Sequence, residues 1–141
     1  MNQRVLRMIA AAAVLGLALA LLMRTPSTPG DHVVFARVGR SGPAFTVSVP
    51  RNRTGDDQYL MQVAEQLSRE DARAGGSGQI SVMVWPDDVP VPREPPATEF
   101  DGSMKTQVAG IFINPARNVR HMIRFHDGAT IAERDFGTPT R

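Results

Sequence analysis

Cysteine is absent from the 141 residues. That removes disulfides, thiolate metal sites, a cysteine nucleophile and a lipidated N-terminal cysteine. A domain of this size must then hold itself together through its core, a cofactor or a partner. Lysine occurs once, at Lys105, and tryptophan once, at Trp85, while every other basic side chain is arginine. The arginine bias, with abundant Ala, Gly and Val, points to a GC-rich bacterial genome. Surplus positive charge is also missing where it would count. Arg4 and Arg7 precede a hydrophobic block and no acid precedes Asp31, so removing these two from the 16 Lys+Arg leaves 14 against 14 Asp+Glu. A nucleic-acid binder needs clustered positive charge to displace counterions from phosphates, and this balance argues against one.

One long hydrophobic run is present. After the basic start (Asn2, Gln3, Arg4, Arg7), Met8 to Met23 carries no charge and is rich in Ala and Leu. Arg24 ends it, and Pro26 and Pro29 forbid continuation as a helix. Residues 1–23 therefore read as a signal anchor or a signal peptide. As a helix the uncharged run spans about 24 Å, short of the ~30 Å hydrocarbon core, and Val5 and Leu6 extend it with the arginines snorkelling. Ala18-Leu19-Ala20 offers a small-x-small cleavage site, but Leu21, Leu22 and Met23 would make a very apolar mature start. Arginines ahead of the run favour an N-terminus inside and a domain outside.

Residues 24–32 (RTPSTPGDH) form a Pro/Ser/Thr tether, and 33–136 an extracytoplasmic domain with a frayed tail at 137–141. Strands are expected at His32–Val38, followed by a turn at Gly39–Pro43, and at Ala44–Pro50. Thr54 or Asp56 can cap a helix whose Leu60, Val63, Ala64 and Leu67 make one apolar stripe, with Gln58, Glu65, Arg69 and Glu70 left for water. It should end near Ala74, before Gly75-Gly76-Ser77-Gly78. Further strands are expected at Gln79–Trp85, Thr106–Ile113 and Val119–His126. Asp127-Gly128 is a hairpin-turn dipeptide, leading to a sixth strand at Ala129–Asp135 or a short helix. The fold class is α+β: a small, mainly antiparallel sheet of five to six strands with one amphipathic helix on one face, behind an N-terminal hydrophobic helix. Its expected core is Phe45, Val47, Val49, Leu60, Val63, Leu67, Ile80, Val82, Val84, Ile123 and Phe125.

No constellation here makes a compelling catalytic or metal centre. His121 and His126, five residues apart on a strand, face opposite ways and cannot share a metal. Ser103 and Lys105, two residues apart at a strand entrance, have no feature that would bring them together in a dry site as a dyad, and Gly39-Arg40-Ser41-Gly42 lacks the spacing of a nucleophile elbow. Asp56/Asp57 suit a helix start and Asp87/Asp88 a turn. Asn52-Arg53-Thr54 fits a glycosylation acceptor, which matters only in a eukaryotic secretory pathway. No catalytic residue, cofactor or metal is assigned.

Two surfaces remain as partner-binding candidates. The Pro-rich loop 86–104 carries Pro86, Pro90, Pro92, Pro95 and Pro96 and follows Trp85, so Trp85, Pro90, Pro92, Arg93 and Pro95 are candidates for recognition in an extended segment. A solvated loop across a sheet edge explains the same residues. Arg120 and Arg124 are expected to line an exposed face of the fifth strand, where they would meet an acidic partner or anionic lipid, or simply protect an edge. The expectation is a single-pass (N-in, C-out) bacterial inner-membrane protein whose extracytoplasmic domain, without catalytic activity, binds an envelope protein partner. The alternative is a cleaved, secreted or periplasmic small-ligand-binding protein, or less readily a small hydrolase. An inhibitor or immunity-like protein would read the same way.

Overall fold

The computed structural model describes residues 33–95 and 102–137. The expectations placed on residues 1–32, including the hydrophobic segment and the tether, lie outside these, as do 96–101 of the Pro-rich loop and 138–141 of the tail. The described elements are β1 (Ala36–Ser41), β2 (Ala44–Val49), α1 (Asp57–Arg73), β3 (Ile80–Pro86), β4 (Ala109–Asn114), β5 (Val119–His126) and β6 (Ala129–Asp135). All six strands form one sheet in chain order. Only β2 and β3 run parallel, and α1 supplies the crossover that a parallel pair needs; the other neighbours are antiparallel. This is a mainly antiparallel α+β fold.

Local chemistry sets the boundaries. β1 starts later than the alternation suggested and runs through Gly39-Arg40-Ser41, leaving the turn to Gly42-Pro43, where Gly42 takes φ +55. Asp56 caps α1 by accepting from the Tyr59 amide. At the other end the Asp71 carboxylate, 8% exposed, is wrapped by the following loop and accepts from Gly78 N at 3.1 Å. A Cβ on Gly76 would lie 2.1 Å from Asp71 Oδ2, which is why that loop position carries glycine. Asp127 and Gly128 both take positive φ, giving a tight hairpin, so the segment after it returns as β6 and not as a helix.

α1 packs over β3 and β4. Its buried residues, Leu60, Met61, Val63, Ala64, Leu67, Ser68 and Asp71, follow the helical repeat. They meet Phe45, Val47 and Val49 of β2, Ile80, Val82 and Val84 of β3, and Ala109, Ile111 and Ile113 of β4. Register carries this face into β5 through Ile111, which pairs with Met122. Met122 is fully buried, whereas Ile123 and Phe125, expected in the core, lie on the other face and are half-buried. The alternation was read correctly but the faces were exchanged, because the two arginines flanking Met122 looked like a solvent face.

Those arginines point toward the helix. One helix cannot cover six strands, and the strands beyond its width present arginine where a wider core would place apolar side chains. Arg120 pairs with Glu65, and Arg124 lies 3.6 Å from Asp57, their side chains only 19% and 18% exposed. On β6, Arg134 reaches Asp57 at 3.3 Å. On β1, Arg37 pairs with Glu70, and Arg40 reaches Asp71 at 2.6 Å. Every acid of α1 therefore meets an arginine of a flanking strand, and Glu65 and Glu70 are not simply left for water. The aliphatic stems cover sheet while the guanidinium groups reach the helix rims.

Arg120 does more than pair, because it also donates to Phe136 O and Gly137 O and so fastens the end of β6. Charged hydrogen bonds of this kind contribute about 1.5–3 kcal/mol. Arg120→Ala should lower unfolding free energy by roughly 2 kcal/mol in urea titrations, whereas Arg69→Ala on the exposed side of α1 should stay within about 0.5 kcal/mol. Equal effects would show that the arginine contacts carry no stability.

Candidate functional site

The sheet face turned away from α1 is where the fold leaves chemistry unassigned. Strand alternation and register set two rows across it. Met83, Gly110, Ile123 and Glu133 make one row, and Ser81, Phe112, His121 and Asp135 the other. Met83, Phe112, Ile123 and Phe125 are all half-buried. Gly110 makes room within this face, since a Cβ there would already touch the Phe125 ring at 3.4 Å. The apolar character is therefore continuous from β3 to β5, with acids at the β6 margin.

Toward β1 the same face is covered by the Pro-rich loop. A Cβ on Gly39 would lie 1.5 Å from the Arg93 carbonyl oxygen, so the loop backbone rests directly on β1. Trp85, at the end of β3, is fully buried, and its indole N–H donates to Ser103 O at 2.9 Å on the far side of the loop. Thr46, on the same face of β2, is fully buried as well. The loop thus packs on the sheet face; it does not merely skirt an edge.

Of the residues assigned to partner binding from sequence, Pro90 and Arg93 are exposed, Pro92 and Pro95 half-buried, and Trp85 wholly covered. Trp85 holds the loop from beneath and presents no surface to a partner. Arg120 and Arg124 do not belong to this surface; they lie on the opposite face, engaged with α1. The structure brings neither arginine into one site with the loop. Sequence reading missed Met83, Phe112 and Ile123 as a shared open face. The signal was present in their register, but without strand order it could not be assembled.

The titratable groups are dispersed. His121 contacts Asp135 through Nδ1 at 2.6 Å and lies 3.8 Å from Glu133. At the sheet end nearest the start of α1, Arg51 binds Asp88 through two nitrogens, at 2.6 to 2.9 Å, and its amide donates to Asp87. The bond from Arg51 holds the Asp88 carboxyl below its ordinary value. A cleft of about 330 Å³ nearby gathers Arg51, Lys105, Gln107, Phe125, His126 and Asp127. A second, of about 390 Å³, opens between α1 and the β4–β5 turn beside Arg69, Ile113 and Val119. Among the described residues no group of three or more His, Cys, Asp or Glu is arranged to hold a metal, and no helix is long and apolar enough to cross a membrane.

Two outcomes test these placements. Gly39→Ala should lift the loop, move Trp85 emission to longer wavelength and cost about 1–3 kcal/mol by overpacking. An unchanged spectrum would mean the loop does not rest on β1. For Asp88, a folded-state pKa depressed by Arg51 means that the pair stabilises above the ordinary carboxylate pKa and weakens as pH falls through the lower, folded value. Carboxyl titration followed by NMR should place the Asp88 midpoint below that of an ordinary aspartate, and Arg51→Ala should raise it.

Compared with family models, with curated proteins and with solved structures, the chain matches none of them.

Proposed function

We propose that the chain is a single-pass, membrane-anchored envelope protein whose extracytoplasmic domain, without catalytic activity of its own, binds a protein partner. One observation carries this reading. A six-stranded sheet has one face packed by α1, while the other carries half-buried Met83, Phe112, Ile123 and Phe125 beside a docked Pro-rich loop. Partner proteins cover mixed surfaces of this kind, in which an apolar centre is rimmed by polar groups. The uncharged run Met8–Met23 supports the anchor, and the tether of residues 24–32 would hold the domain close to the bilayer.

The test is site-specific photocrosslinking in the intact envelope of the native host. A photoreactive phenylalanine analogue at Phe112 should yield discrete protein adducts, and the same analogue at Arg69, on the exposed side of α1, should not. Equal adducts from both positions, or none from Phe112, would overturn the reading.

A further inference from the structure

We infer that the outer edge of β6 accepts an extended, basic segment of the partner by strand addition, an inference that rests on the interaction-domain reading and names its contact. β6 is the last strand of the sheet, and all seven of its residues are exposed. Ile131 is 63% exposed, one of the two large apolar side chains left so open among the described residues.

The hydrogen-bond phase of this edge is fixed. Phe136 N donates to Arg120 O at 2.9 Å, so residue 136 points its backbone inward toward β5. Alternation then turns Arg134 and Ala132 inward as well, and leaves the N–H and C=O of Glu133 and Asp135 directed off the edge. These outward groups form a template for another strand.

Side-chain charge selects the occupant. Each acid of α1 is met by an arginine, including Arg134 of β6 itself, which is turned to Asp57. Glu133 and Asp135 share the opposite face and, among the described residues, meet only His121 there. A strand paired with the outward backbone of residues 133 and 135 would place its own side chains directly across from these two carboxylates. Lysine or arginine at alternate positions satisfies both, so the partner segment is extended and basic at every second residue. The other edge is less available. β1 carries a bulge between Arg37 and Gly39, and both of its arginines are tied to α1.

The probe is a short acetylated peptide of threonine and valine with two lysines two residues apart, added to the full chain in detergent. An isomer with adjacent lysines puts one on each face and serves as the control. The alternate-lysine peptide should bind about two- to fivefold tighter than its isomer, which keeps only one of the two cross-strand charge pairs. It should also slow exchange of the Glu133 and Asp135 amides. Glu133→Gln with Asp135→Asn should remove the preference, and Glu133→Pro should remove binding by deleting an outward donor while the inner ladder remains. Equal binding of the two peptides, unchanged exchange at these amides, or protection of both before any peptide is added would overturn the assignment. If the peptide fails while adducts still form from Phe112, the edge assignment falls and the interaction-domain reading stands; if both fail, both fall.

Discussion

Among the described residues a single α-helix lies on a six-stranded sheet, which leaves more strand surface than the helix can cover, and the other described contacts are arranged around that shortfall. The helix spends its apolar stripe on the central strands, where Leu60, Val63 and Leu67 join the buried residues of β2, β3 and β4. Beyond its width, arginines of β1, β5 and β6 reach to Asp57, Glu65, Glu70 and Asp71. An exposed ion pair alone contributes little, about 0–1 kcal/mol. Here the pairs are numerous, several are half-buried, and each lays a long aliphatic stem over sheet that would otherwise face water. A chain without cysteine secures its outer strands in this way.

The second face is handled differently on its two halves. Over β1 to β3 the Pro-rich loop lies on the sheet, seated where Gly39 has no side chain and fastened where the Trp85 indole meets Ser103 O. Prolines suit this task because their backbone is already stiff and asks little further ordering. Toward β6 the apolar side chains end at Glu133 and Asp135, which among the described residues pair with His121 and with no arginine. Charge is thus segregated: the helix side is neutralised from within, while the open side keeps acid at its margin.

Much of the fold was legible because short-range chemistry decided it. The alternation of Phe45, Val47 and Val49, the stripe of α1, the glycine-rich stop after Arg73 and the Asp127-Gly128 turn each follow from local rules. Face assignment in β5 failed because it depends on long-range pairing. Arg120 and Arg124 resemble a solvated stripe until the helix acids opposite them are placed, and Met122 then becomes the core residue. Trp85 was misjudged for a similar reason, since its burial depends on a loop whose path across β1 is set by Gly39, many residues upstream. The open face was invisible for want of strand order, as its residues come from three separate strands.

A domain with one packed face and one open face suits a platform held in place, and retention at the membrane is the claim on which that role turns. The most direct measurement is the intact mass of the chain recovered separately from membrane and soluble fractions of its native host. An anchored chain is recovered at full-length mass in the membrane fraction. Loss of the first twenty or so residues, with the product found soluble, would contradict it and make the chain a diffusible exported protein.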